Sequence, residues 1–257
     1  MKLKTAILLG AGLASALSCA STFSADVFSG YTLLKQETKE MQDDDFMNQG
    51  METVVKGAAL FSAMGKNGKS CTTCHGEGGK KLDPKRIAQY PVLDTNTKRP
   101  ITLQQRILNM WAEQVGNGPL KYESADAVAL ETFVRNLARG QVVNVQIDGA
   151  MAPFYEEGKK LFEKRVGQLN MACNLCHDDH AGELLRAQVL SQGQTNGFPT
   201  YRLASSSVIG TQTRINQCYK SVRAEEQPYG SEAFTLMELY MNGRGNGLKI
   251  ETPAVRF

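Results

Sequence analysis

From Met51 onward the apolar positions fall at helical spacing, and Val54, Val55, Ala58, Leu60 and Phe61 predict one face of a helix. The same design returns about a hundred residues later. Gly57-Ala58-Ala59-Leu60-Phe61 is matched by Gly158-Lys159-Lys160-Leu161-Phe162, and Arg106-Ile107-Leu108-Asn109-Met110 by Arg214-Ile215-Asn216-Gln217-Cys218. An apolar helix at 129–137 around Phe133 is matched by one at 236–241 around Tyr240, and each runs into an Arg-Gly pair, Arg139-Gly140 and Arg244-Gly245. Matched features in one order argue an internal duplication. Helical periodicity stops at 140–153, where Gly149 and Pro153 punctuate the chain. Segments 80–100 and 190–210 are rich in Gly, Pro, Ser, Thr and Asn and read as loops. The expectation is a mainly α chain of two tandem domains, 51–145 and 146–257, with little sheet. A polar N-terminal extension at 21–50, acidic at Asp43-Asp44-Asp45, precedes them.

The first 20 residues have a different character. Lys2 and Lys4 form a basic start, an apolar stretch follows to Leu17, and Ser18-Cys19-Ala20 offers a small-residue cleavage site before Ser21. The apolar run is about 13 residues, short of the ~20 a membrane-spanning helix needs. A secretory signal at 1–20 is therefore expected, with acylation of Cys19 as the weaker alternative and no membrane span later. An exported, periplasmic protein follows. Composition agrees with a soluble globular chain, at 42% hydrophobic and 21% charged residues. The net charge of +3 is too small and dispersed to suggest nucleic acid.

Export makes the cysteine count informative. Of six cysteines, Cys19 lies in the signal and four fall in two C-x-x-C-H motifs, Cys71-Thr72-Thr73-Cys74-His75 and Cys173-Asn174-Leu175-Cys176-His177. This pattern is the attachment signature of c-type haem, with two thiols for the porphyrin and a histidine for iron. Zinc or thioredoxin chemistry fits poorly, because the trailing histidine is present both times. The interval from Cys71 to Cys173 is 102 residues, the size of a small cytochrome c domain. Two covalently bound haems are expected, with His75 and His177 as proximal ligands.

Cys218 is left without a partner, which in an oxidising compartment marks a reactive or ligating thiol. The chain holds three histidines, and His180 follows His177 too closely to reach the far face of that iron. Methionine or cysteine must serve as distal ligands, or a site stays open. The repeat nominates Met110 for the first iron and Cys218 for the second. A core methionine beside Trp111 and a buried structural thiol are the plain alternatives. Arg214, Lys220 and Arg223 flank Cys218, and Arg244 can return to it from the last helix, a setting suited to a small oxyanion. Arg214 has a twin in Arg106, so a partnership with a haem propionate competes with a substrate role.

Segment 214–246 resembles the SoxA subunit of the sulfur-oxidising SoxAX cytochromes. It carries Arg214-Ile215-Asn216-Gln217-Cys218, Val222-Arg223-Ala224, Tyr229-Gly230-Ser231, Glu238-Leu239-Tyr240 and Arg244-Gly245-Asn246-Gly247. The resemblance implies an enzyme that joins thiosulfate oxidatively to a cysteine of a SoxYZ-like carrier. Electrons would leave through haem to a monohaem SoxX-like partner and a soluble cytochrome. It further implies Cys218 as the catalytic haem ligand, able to carry a persulfide, and Arg214 and Arg244 as substrate-site arginines. One departure stands out: Met110 occupies the place where dihaem members of the family usually have cysteine, which implies a higher-potential first haem. The rival readings are a thiosulfate dehydrogenase forming tetrathionate and a purely electron-transferring dihaem cytochrome.

Overall fold

The computed structural model describes residues 26–257, so the expected signal at 1–20, with Cys19, lies outside the described residues. Each repeat is built on one crossing of two helices. In the first, α2 (Gly50–Ser62) crosses α6 (Ala125–Asn136); in the second, α7 (Ala152–Glu163) crosses α10 (Glu232–Gly243). The serines Ser124 and Ser231 cap α6 and α10 by accepting from backbone amides in the first turn, where Asp126 and Glu232 also favour the helix dipole.

Backbone contact sets how closely the helices approach. A Cβ on Gly57 would stand 2.0 Å from the Ala129 carbonyl oxygen, and one on Gly158 would stand 2.2 Å from that of Leu236. Around these points Phe61 packs on Phe133 with ring centroids 5.1 Å apart, and Phe162 packs on Tyr240 at 5.2 Å. The buried stripe of α2 is therefore Gly50, Val54, Gly57 and Phe61, whereas Val55, placed on the apolar face by its sequence, is 68% exposed.

Short elements fill the rest of each repeat. The first has α3 (Cys71–His75), α4 (Pro84–Ile87), the hairpin β1 (Val92–Leu93) and β2 (Pro100–Ile101), and α5 (Leu103–Met110), which continues into a π-helical turn at Trp111–Val115. The second has α8 (Cys173–His177), a hairpin of β3 (Leu184–Leu185) and β4 (Gln188–Val189), then β5 (Thr200–Arg202), β6 (Ser207–Ile209) and α9 (Thr211–Ser221). The segments that composition reads as loops thus carry hairpins, because their β pairs are only two or three residues long and leave no periodicity to detect. β5 pairs antiparallel with β6 and parallel with β7 (Ala254–Arg256).

The extension and the last strand close on each other. α1 (Gln36–Asp43) lies against β7, where Gln42 accepts from the Val255 amide at 3.0 Å and Asn48 donates to the Pro253 carbonyl at 2.8 Å. Phe28 donates its amide to Gln192 at 3.1 Å, so the extension that precedes the first repeat in sequence is attached to the second. No helix among the described residues is long and apolar enough to cross a membrane.

Between the repeats lies a buried polar layer with approximate twofold likeness. Gln104 donates to Glu131 at 2.8 Å, and its counterpart Gln212 donates to Glu238 at 3.2 Å. Arg135 sits between the two carboxylates and donates to Asn242 at 3.3 Å; Glu123 and Tyr122 border the layer. Burial above all, then repulsion from neighbouring carboxylates, raises both Glu131 and Glu238.

Two outcomes follow for stability. Gly57→Ala or Gly158→Ala forces the crossing helices apart and should cost about 1–3 kcal/mol in denaturant unfolding; an unchanged midpoint would refute the close-contact account. The raised carboxylates bind a proton in the folded state that they lack when unfolded. Their stabilisation is complete below the unfolded carboxylate pKa and is lost as pH rises through the folded values. Wild-type stability should therefore fall as pH rises from the ordinary carboxylate range to about 7–8, by up to ~1.4 kcal/mol per pH unit per excess proton. Glu238→Gln should flatten the slope measured by thermal unfolding.

Candidate functional site

Each C-x-x-C-H run folds as a single short helix, which puts its two thiols three positions apart on one face and the histidine next to the second. None of Cys71, Cys74, Cys173, Cys176 and Cys218 is in a disulfide. The proximal histidines are seated alike, His75 with its ring centroid 6.1 Å from Phe61 and His177 6.2 Å from Phe162. His177 Nδ1 lies 2.7 Å from the Ser191 carbonyl oxygen, which can only accept, so the proton is on Nδ1 and Nε2 is left as a metal donor. Burial, the largest effect, lowers the His177 pKa and keeps the imidazole neutral as a ligand must be. Gly193, at φ +80°, approaches so closely that a Cβ would lie 3.1 Å from the imidazole. The Cys173 thiol is pushed up to about 12, by burial first and by nearby Cys218 second. Two thiols on one helical face, outside any disulfide and beside a histidine, are the donor set that covalently held haem c requires.

The second half of the site comes from α5 and α9. Met110 ends α5 half-buried, unlike the core residues Met151 and Met237 at 0% and 1% exposure. Cys218 occupies the matching place on α9, also half-buried, and acts electrostatically on both Cys173 and Cys176. His180, which the spacing rules out as a distal ligand, is exposed and pairs with Glu183 at 3.0 Å.

The cations differ from what sequence order suggests. Lys220 pairs with Glu226 at 3.0 Å, and Arg223 is exposed beyond the end of α9, so neither joins the site. Arg244 pairs with Asp178, the residue after His177, and lies 4.8 Å from the Phe162 ring centroid and 5.5 Å from that of Tyr240. Arg214 makes one 3.4 Å contact to Gln217 and no ion pair among the described residues, and its charge is felt at His177.

Its twin behaves otherwise. Arg106 pairs with Asp94 at 2.6 Å, and the Asp94 carboxyl is held down at about 2 by the Thr97 amide and then by Arg106. A residue missed in the sequence reading also lies within the electrostatic reach of Cys218: Arg202, at the end of β5, 8% exposed, donates to Gln188 at 3.3 Å and senses both Arg214 and Cys218. The signal that could have found it is its offset of 108 positions from Asp94, the offset that relates Pro91 to Pro199 and Arg106 to Arg214.

Comparison with known proteins agrees with this geometry. A family model described as the SoxA/TsdA cytochrome c domain matches twice, at residues 56–143 and 157–250. The L-cysteine S-thiosulfotransferase subunit SoxA of Pseudaminobacter salicylatoxidans is 38% identical over 231 residues, covering 89% of this chain and 80% of that protein. Its namesake from Paracoccus pantotrophus is 38% identical over 238 residues, covering 92% and 81%. The crystal structure of SoxXA from P. pantotrophus superposes with a TM-score of 0.83 at 37% identity, covering 90% of this chain and 87% of the matched chain. With its duplicated haem-attachment repeat, its unpaired α9 thiol and these matches along most of its length, the chain belongs to the SoxA/TsdA cytochrome c family, as a SoxA-type member.

Proposed function

We infer that the chain is the dihaem subunit of a periplasmic L-cysteine S-thiosulfotransferase, joining thiosulfate oxidatively to a cysteine of a SoxYZ-like carrier. The observation that carries this reading is Cys218: a thiol outside any disulfide, beside the second motif and Arg214, where the sister repeat has a methionine. The relatives named as L-cysteine S-thiosulfotransferase subunits support the reaction class. Cys71, Cys74 and His75, and Cys173, Cys176 and His177, would each hold a haem c, which would supply a one-electron acceptor. Met110 would join His75 in holding the first haem, and Cys218 would join His177 in holding the second.

The chain's own residues do the rest. Arg214 attracts the dianion and lowers the cost of bringing it to a second negative sulfur. Arg244, engaged by Asp178, adds positive potential at the second motif and positions that wall of the site. The Cys218 thiolate and the terminal sulfur of thiosulfate form an S–S bond, and two electrons are released. Total charge is −3 on each side: thiolate and dianion before, the Cys218 S-thiosulfonate anion and two electrons after. The electrons pass to a monohaem SoxX-like cytochrome and onward to a soluble cytochrome. The carrier thiolate then attacks the bridging sulfur, takes the S–SO3 group and returns Cys218 as thiolate. Cys218 can also rest as a persulfide.

Cys218→Ser should retain both covalent haems by intact mass, lack any persulfide increment of ~32 Da, and lose carrier conjugation at least about a hundredfold. Conjugation by that variant at the wild-type rate would end the thiol mechanism, and tetrathionate formed without carrier would move the assignment to a thiosulfate dehydrogenase. Met110→His should lower the potential of the first haem in a spectropotentiometric titration and leave the second unchanged. An unaltered first potential would remove Met110 as ligand.

A further inference from the structure

The two hairpins that precede α5 and α9 have one register. Val92 faces Ile101 and Leu93 faces Pro100, as Thr200 faces Ile209 and Tyr201 faces Val208, each residue 108 positions after its counterpart. The next position is Asp94 in the first repeat, whose amide bonds the Arg99 carbonyl, and Arg202 in the second, opposite Ser207. In the first repeat Asp94 neutralises Arg106 at 2.6 Å. In the second, the residue standing for that carboxylate is itself an arginine. An internal ion pair has become two like charges.

Neither charge is compensated elsewhere among the described residues. Arg202 and Arg214 have no carboxylate within ion-pair distance, and Arg202 contributes one hydrogen bond, to Gln188 at 3.3 Å, from five available donors. The arginine next to Arg202 in the sheet, Arg256, is by contrast neutralised by Glu251 at 2.7 Å. An arginine only 8% exposed and without a counter-ion is costly, and costlier with a second one near it. Burial first, and Arg214 next, bring Arg202 down to about 10, a sign that the charge is held against its environment.

We propose that Arg202 and Arg214 together form a binding site for a small divalent oxyanion beside Cys218, created by the exchange of Asp94 for Arg202 between the repeats. The proposal rests on the functional reading above for its substrate, thiosulfate, whose two negative charges match the two guanidinium groups. A haem propionate could offer the same anionic oxygens. The first repeat argues against that source: it carries the same attachment motif and proximal histidine, yet the two positions hold a neutral pair. Holding the haem does not call for two cations there. Arg202 is thus a substrate-binding residue, whereas its counterpart Asp94 only neutralises Arg106.

The test uses the full-length haem-loaded protein with its cytochrome partner. Thiosulfate binding is measured calorimetrically without carrier, and KM and kcat for conjugation are measured with it. Arg202→Met, close in length and uncharged, should weaken thiosulfate binding and raise KM by at least about tenfold with a smaller change in kcat. Arg202→Asp, which restores the first repeat's ion pair with Arg214, should weaken binding further. Arg202→Lys, which keeps the charge and guards against a folding defect, should stay within about threefold of wild type. Haem content should be unchanged in all three.

Normal binding and KM in Arg202→Met would overturn the proposal. So would a lost or shifted second haem with KM unchanged, which would identify a propionate as the partner. The functional reading fails separately: if wild type forms no carrier conjugate while Cys218→Ser binds thiosulfate in an Arg202-dependent way, the anion site stands and the thiol chemistry does not.

Discussion

Everything else in the molecule depends on two places where helices touch without side chains between them. Gly57 against the Ala129 carbonyl and Gly158 against that of Leu236 bring each crossing pair to backbone contact. That approach sets Phe61 on Phe133 and Phe162 on Tyr240, and the same phenylalanines then sit beside His75 and His177. The position of each motif imidazole is thereby transmitted from a glycine one helix away. A larger residue at either crossing would move the aromatic pair and with it the ring that must meet the metal.

On this shared frame the repeats have diverged at few but decisive points. Met110 stands against Cys218, and Asp94 against Arg202, while Arg106 and Arg214 keep the same identity. The same arginine is inert in one context and available in the other, because its neighbour changed sign. Duplication supplies the comparison that a single domain lacks: each site serves as the control for its twin. The buried layer of Gln104, Glu131, Gln212 and Glu238 is built from equivalent residues of both repeats, so the duplication also forms the joint between them.

Much of this was legible in the residues. The two C-x-x-C-H motifs, the helix periodicities and the matched Arg106 and Arg214 segments are local signals, readable because the residues that act together lie within a few turns of one another. What escaped was non-local or carried by very short elements. Val55 satisfies the helical period yet faces solvent, since the contact that orients α2 is made by Gly57, a residue without hydrophobic signal. Arg202 lies in a segment whose composition says loop, twelve positions before Arg214, and its meaning emerges only when β5 is registered against β1. Lys220 and Arg223, adjacent to Cys218 in sequence, turn away because Lys220 is drawn to Glu226 and Arg223 lies beyond the helix end.

The sheet that seats Arg202 has a consequence for how the protein is made. β5 is held on one side by β6, which follows closely, but on the other by β7 at Ala254–Arg256, which is itself held by Gln42 of the extension. A chain emerging from its N-terminus can complete the first helix crossing early, yet it cannot close the sheet around Arg202 until β7 has followed. Cys173 and Cys176 emerge well before that moment. The second C-x-x-C-H motif is therefore complete while the sheet that seats Arg202 is still open, and that wall closes last.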